Sequence, residues 1–306
     1  MRADLHIHSR YSDGAHWPSE IAHLVSEAGL EAACLCDHDT LGGYHEFSEA
    51  ALALGVKTWP AVEIDCIDTA TSYKSEILAY FPDYSYSATE SFLTRSLEAR
   101  RLKIAGLFDR AGSLFGTAEL SFEELLRHRT SGRPAGSAPL DTAGLRFSKT
   151  DLFLALRSAG SLPQSANYRE FKKAYFDTGL FSDIRFEKPE LEWLASLVAQ
   201  DGGLLVLPHV GHEFGDSLQA MKADYARLDT LLSRFRDIGV QGVELYDYRS
   251  DETPGINAFV EKACSSYGFF HTYGSDCHGP GSAKPSLGGF YGEFEGFGAW
   301  RKQRKD

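Results

Sequence analysis

The amino-acid sequence predicts an α/β fold. Strands joined by crossover helices should close better as a barrel than as an open sheet, with a helical insertion mid-chain. Three observations carry that expectation. Apolar runs of strand length alternate with segments of helical period in both outer parts of the chain. Residues 86–188 break the alternation, with helix-period stretches and hardly any strand signal. Side chains able to hold a metal ion recur at the ends of the apolar runs, where parallel barrels gather their active-site residues.

Taken in order, residues 3–8 predict a strand and 18–29 an amphipathic helix, opened by Pro18 and closed near Gly29. Residues 32–36 (Ala-Ala-Cys-Leu-Cys) are a buried strand, and 43–54 a helix that stops at Gly55. Strands follow at 57–65 and 74–81. The insertion offers helices at 87–115, 121–129, 150–159 and 165–177, with a loop rich in Ser, Gly, Pro, Ala and Thr at 130–148. The alternation resumes with helix 189–200, strand 203–208, helix 219–238, strand 240–246, helix 254–267 and strand 269–274. That makes about seven strands, expected to be parallel. The division is therefore a barrel from 1–85 and 189–306, and a helical insertion, 86–188, shaping a substrate pocket. The tail, 280–306, is rich in Gly and aromatic residues and either closes over the site or packs on the barrel floor.

The chain has 306 residues, 43% hydrophobic and 12% aromatic, which is globular composition. A net charge of -12 argues against a broad basic surface for an extended nucleic acid, although an oligonucleotide end could still fit. The five cysteines contain no Cys-x-x-Cys, so they are expected to be reduced thiols in a cytoplasmic protein. Neither a signal sequence nor an apolar run of membrane-spanning length is apparent, so no membrane is expected. The oligomeric state is left open.

The chemistry sits in short segments. His6 and His8 are two apart on a strand and face the same way, with Asp4 beside them. Asp276 and His278 repeat that spacing after the last strand. Asp37-His38-Asp39 follows a buried strand, Asp13 lies in Ser12-Asp13-Gly14, Glu63 ends an apolar run, and His209 follows Leu207-Pro208. Any one of these alone would be an ordinary polar residue. Their joint placement at strand ends points to a metallohydrolase with two to three divalent ions, and imidazole with carboxylate suits Mn, Fe or Zn.

The motifs Asp4-Leu-His-Ile-His8-Ser9, Tyr11-Ser-Asp13-Gly14, Cys36-Asp-His38-Asp-Thr40, Glu63, Pro208-His209 and Gly274-Ser-Asp276-Cys-His278-Gly279 resemble the polymerase and histidinol phosphatase (PHP) family. The resemblance extends over essentially the whole chain and is nearest to the stand-alone phosphoesterases. It implies a distorted seven-stranded (β/α)7 barrel and a trinuclear metal centre. His6, His8, Glu63 and Asp276 would hold the first ion, Glu63 and His209 the second, and Asp13, His38 and His278 the third. Where the family usually has a further His, this chain has Glu76: either a substitute ligand that favours harder ions, or a side chain turned away that leaves the second ion weakly held.

The family's cationic positions depart more. A Pro-His-Pro-Gly-Arg run becomes Pro208-His209-Val210-Gly211-His212, and an Arg-Pro-His-like motif becomes Lys149-Thr150-Asp151. Lys149, Arg133, His212 and Arg249 remain as candidate phosphate contacts, and Asp39, His212 or Asp151 as the acid for the leaving group. Asp4 and Asp37 are expected to orient ligand imidazoles.

The resemblance thus implies a metal-dependent phosphoesterase that uses a metal-bridging hydroxide on a small phosphorylated metabolite or nucleotide. Cleavage of a cyclic phosphodiester, with both esters removed in sequence, is the main alternative. Histidinol-phosphate hydrolysis ranks lower, C–N hydrolysis would use the same chemistry, and a non-catalytic metal-binding module is the rival of a different class.

Overall fold

The structure is a computed structural model that describes residues 1–117, 120–134, 139–177, 179–181 and 183–298. Two compact units emerge: Met1–Leu93 with Lys188–Asp306, and Thr94–Glu187.

The first unit is built on two sheets. Strands β1 (Arg2–Ile7) and β2 (Ala32–Leu35) pair in parallel, and a short β8 (Gly292–Glu293) adds antiparallel to the start of β1. The second sheet runs β3 (Ala61–Asp65), β4 (Glu76–Tyr80), β5 (Leu204–Leu207), β6 (Gly242–Tyr246) and β7 (Phe270–Gly274). Isolated parallel bridges link Ile7 of β1 to Cys277, just past β7, and His38, just past β2, to Glu63 of β3. Helices α1 (Pro18–Glu27), α2 (Tyr44–Ala53), α7 (Leu191–Gln200), α8 (Leu218–Ala223), α9 (Tyr225–Asp237) and α10 (Thr253–Cys264) complete the unit.

The fold is α/β with mixed sheets, and two expectations need correction. The strands are not all parallel: β4 is antiparallel to both β3 and β5. No helix lies between β3 and β4, and a strand that returns without a crossover helix pairs antiparallel. The single helix expected at 219–238 is also two, interrupted at Asp224, whose ψ of 45° leaves the helical region.

Apolar side chains explain the layering. Val62, Ile64, Ile77, Leu205, Leu207 and Val243 pack with Leu194, Val198, Leu228, Leu232 and Val260 from helices. Ile7, Ala33 and Leu35 pack with Ile21, Val25 and Phe47 of α1 and α2. All five cysteines are buried and free, so they serve as small apolar fillers. In the tail, Phe294 and Phe297 pack with Ala3, Leu5 and Tyr80, near the start of β1 rather than its His8 end. Residues 299–306, the rest of the predicted tail, lie outside the described residues.

The second unit has no strand among its described residues. It contains the greater part of α3 (Ser87–Phe115), then α4 (Phe122–Thr130), α5 (Lys149–Ser158) and α6 (Tyr168–Lys172), which runs into a π turn at Lys173–Asp177. Ser121 caps α4 by accepting from the Glu124 N–H. Phe171, Phe176 and Phe181 form its aromatic core. Part of the predicted 130–148 loop, residues 135–138, lies outside the described residues. Among the described residues no helix is long and apolar enough to cross a membrane.

Candidate metal centre

The C-terminal ends of β1, β2, β5 and β7 share one edge of the first unit: Ile7 aligns with Leu35, Cys277 stands beside Ile7, and β5, β6 and β7 run parallel. Chain reversal in β4 has a direct consequence here. Its first residue, Glu76, pairs with Asp65 at the end of β3, so Glu76 arrives at the same edge.

The nine residues expected to be ligands fall into three groups whose donor atoms lie within 4.8 Å of one another. The groups are His6, His8, Glu63 and Asp276; then Glu63, Glu76 and His209; then His8, Asp13, His38 and His278. Glu63 spans the first two, with Oε2 at 3.4 Å from His6 Nε2 and 3.3 Å from His8 Nε2, and Oε1 at 3.2 Å from His209 Nε2. Asp276 Oδ1 is 3.1 Å from His8 Nε2, and Asp13 Oδ1 is 3.2 Å from His278 Nε2. Donors bonded at about 2.1 Å to one tetrahedral or octahedral ion stand about 3.0–3.4 Å apart, so these spacings fit bound ions.

The electrostatics fit too. Burial alone would raise the Glu63 and Asp276 carboxyls, yet His6 and its neighbours hold both well below the usual carboxylate range. Burial would lower His8, but Asp276 and Glu63 outweigh it and push the imidazole up to about 10. His6 is likewise pushed up against its burial, by Glu244, Glu63 and Asp276. Imidazoles and carboxylates of the cluster thus shift one another as buried groups of opposite charge do.

Backbone at or beside the candidate ligands is strained at three of these turns. Asp39, His209 and Asp276 adopt φ values of 53°, 27° and 53°, the left-handed region that such residues seldom enter. Glycine is required beside them. A Cβ on Gly14 would lie 2.3 Å from the His8 carbonyl oxygen, and one on Gly274 would lie 2.0 Å from Glu244 Oε1.

Asp4 and Asp37 do not orient imidazoles as expected. Asp4 accepts from the Ser275 N–H and hydroxyl and from the His6 N–H, tying β1 to the turn after β7. Asp37 accepts from the Ser9 N–H, the Ser9 hydroxyl and the Ser12 hydroxyl, fixing the turn that carries Asp13. The imidazole is oriented instead by Glu244, fully buried on β6: its Oε1 is 2.9 Å from His6 Nδ1, and its Oε2 accepts from the His209 N–H at 3.1 Å. A carboxylate on Nδ1 leaves Nε2 free for an ion. Sequence reasoning missed Glu244, although an acidic residue inside the apolar run Gly242-Val-Glu-Leu-Tyr246 was a usable signal.

Other expected site residues are divided. His212 lies beside the cluster, its ring 4.6 Å from His209, with Nδ1 2.5 Å from Asp216 Oδ1. Asp39 accepts from the Asp65 N–H. Arg249 donates to the carbonyls of Ala283 and Lys284. In the second unit, Asp151 accepts from the Ser148 N–H and from Arg129, the work of a helix cap and an ion pair. Lys149 sits 4.2 Å from the Phe176 ring centroid, and burial together with Lys172, Arg185 and Arg100 lowers its ammonium. Arg133 is half-buried in the same unit. Lys284, not singled out from sequence, has its ammonium on Asp276 Oδ2.

Residues 4–119 match the sequence profile of the PHP domain. The chain carries a PHP domain. The phosphoribosyl 1,2-cyclic phosphate 1,2-diphosphodiesterase of Eggerthella lenta is 26% identical to it over 290 residues, spanning 94% of this chain and 98% of that protein. The 3',5'-nucleoside bisphosphate phosphatase of Chromobacterium violaceum is 23% identical over 290 residues, spanning 93% of this chain and 90% of that protein. A solved amidohydrolase from Chromobacterium violaceum has a similar fold, with a TM-score of 0.69 at 22% identity over 96% of this chain and 92% of that one. The PHP match begins at Asp4 and takes in His6, His8, Asp13, His38, Glu63 and Glu76, six of the nine clustered residues.

Proposed function

We propose that this PHP protein is a metal-dependent phosphoesterase that hydrolyses a small phosphorylated metabolite or nucleotide. The observation that carries the reading is the shared carboxylate of Glu63, which faces two adjacent groups of nitrogen and oxygen donors at metal-ligand spacing. The two relatives of similar length act, by name, on phosphate esters. We further infer that three ions are held, as Mn, Fe or Zn. The four carboxylates of the cluster carry four negative charges; three divalent ions would leave two positive charges, matching a phosphate dianion. We also infer that seven strands close as a distorted barrel, since the Ile7–Cys277 and His38–Glu63 bridges lie between the two sheets.

Divalent ions bound there would supply an acidified water and Lewis-acid contacts to phosphoryl oxygens. The protein's own groups do the rest. Glu244 orients His6, while Asp4 and Asp37 brace the ligand turns. His212 is the proposed proton donor to the leaving oxygen: as an imidazolium it would keep its Nδ1–H on Asp216 and give up the proton on Nε2. Lys149 and Arg133 are proposed as anion contacts of the helical unit, supported by the basic neighbours of Lys149. Five buried free thiols favour a cytoplasmic setting.

Cyclic phosphodiester cleavage is the second reading. The Eggerthella lenta relative, whose name states a cyclic phosphate substrate, covers nearly the whole chain. The test is phosphate release by Mn-reconstituted protein across nucleoside bisphosphates, nucleotide monophosphates, sugar phosphates, histidinol phosphate and cyclic phosphates, with metal content measured on the same sample. Turnover of one class with two to three ions bound is expected. Fully metallated protein inactive on every ester would overturn the proposal.

A further inference from the structure

Two of the residues expected to contact phosphate are engaged elsewhere: Arg249 by two carbonyls and His212 by Asp216. We propose that Lys284 is the cation of this site, the group that binds a non-bridging oxygen of the substrate's phosphoryl group. This inference rests on the phosphoesterase reading above.

Placement is the first argument. The Lys284 ammonium reaches Asp276 Oδ2, while the other oxygen of that carboxylate, Oδ1, lies 3.1 Å from His8 Nε2 and 3.3 Å from His278 Nδ1. The ammonium is thus one carboxylate width from the donors of two ion groups. A phosphoryl oxygen held by those ions would fall within its reach. The Lys284 side chain is 33% exposed and that of Asp276 4%, so the lysine approaches from the open side and the aspartate from the buried side.

Preorganisation is the second argument. The Lys284 N–H donates to the Ser282 hydroxyl at 3.0 Å, and Arg249 Nη1 donates to the Ala283 and Lys284 carbonyls at 2.6 and 3.0 Å. Arg249 therefore acts on the site as a positioning residue. The ammonium also stands 3.4 Å from the Tyr246 hydroxyl, and the Tyr246 ring borders His209 and His212 with centroids 5.5 and 5.3 Å away. Lys284, Tyr246 and His212 thus line one side of the cluster, and a phosphate seated there would meet a cation and the proposed proton donor together.

Exchange of partners is the chemical step, with no bond made or broken. With its carboxylate shared with a divalent ion, Asp276 would hold Lys284 less tightly, and the ammonium would turn to the dianion.

The experiment compares wild type with K284M, K284A and K284R, each loaded with Mn. Metal content, the dissociation constant for inorganic phosphate by calorimetry, and KM against kcat on a turned-over ester are measured. K284M keeps the chain length that packs beside Tyr246, so it guards against misfolding in K284A. The expected result is unchanged Mn content, phosphate binding and KM weakened at least about tenfold in K284M and K284A, and recovery to within about threefold in K284R. Phosphate binding equal to wild type in K284M, with ester turnover intact, would overturn the role of Lys284 alone. Loss of Mn in step with phosphate would also overturn it, since the lysine would then merely support Asp276. A fully metallated wild type that neither binds phosphate nor hydrolyses any ester would overturn the phosphoesterase reading itself.

Discussion

Glu244→Gln isolates the orientation of the His6 imidazole, a candidate ligand, from everything else in the site. Its two carboxylate oxygens serve two donors, His6 Nδ1 at 2.9 Å and the His209 N–H at 3.1 Å, and all of these groups are buried. Glutamine keeps the shape but has one acceptor oxygen and one NH2 group. If the oxygen stays on His6, the NH2 faces the His209 N–H and two donors collide. If the amide flips, His6 Nδ1 must accept, and the ring proton moves to Nε2, the nitrogen 3.4 Å from Glu63 that an ion would need. Either way a hydrogen bond to a charged group is lost, a cost of about 1.5–3 kcal/mol. With tenfold in affinity for each 1.4 kcal/mol, Mn binding should weaken by about 10–100-fold. The assay is chelator competition for Mn, with circular dichroism to verify the fold. A folded E244Q protein whose Mn affinity stays within threefold of wild type would refute this account of Glu244.

Three further outcomes follow from the same geometry. In metal-free protein the His8 imidazole is raised from 6.5 to about 10 by carboxylates that outweigh burial. Its stabilising contribution is therefore fully present below pH 6.5 and lost as pH rises towards 10. The melting temperature of metal-free protein should fall across that interval while Mn affinity climbs, because ligation needs neutral imidazole; a melting temperature that rises would contradict it. Gly274→Ala places a Cβ 2.0 Å from Glu244 Oε1 and 2.5 Å from His6 Cβ. It should cost about 1–3 kcal/mol of stability by denaturant unfolding and weaken Mn binding, and a neutral effect on both would show that the turn has room. Glu76→Ala should remove one equivalent of Mn with the fold intact, since Glu76 joins Glu63 and His209; full occupancy by elemental analysis would exclude Glu76 as a ligand.

Much of the site was legible in the chain because strand periodicity links sequence spacing to direction. His6 and His8 share a face, and Asp276 and His278 repeat the pattern, so the two pairs converge once β1 and β7 run side by side. Other roles were hidden. Asp151 sits in a motif position yet works as a helix cap in the structure. Lys284 lies in a turn with no periodicity, and nothing in the sequence shows that a loop held by Arg249 will bring it to Asp276. Glu244 could have been noticed as a charge in an apolar strand, but its partners, His6 and His209, are 238 and 35 residues away.

Sequence by itself determined the alternation of strands and helices, the helical, strand-poor character of the middle of the chain and the residue types that can hold divalent ions, because these rest on local period and side-chain chemistry. Tertiary structure decided the direction of β4, the grouping of nine ligand candidates into three sets and the partners of Glu244 and Lys284. Strand direction depends on whether a connection crosses over, and buried charge depends on which distant groups neutralise it. Both are long-range properties, fixed only when the sheets and helices pack.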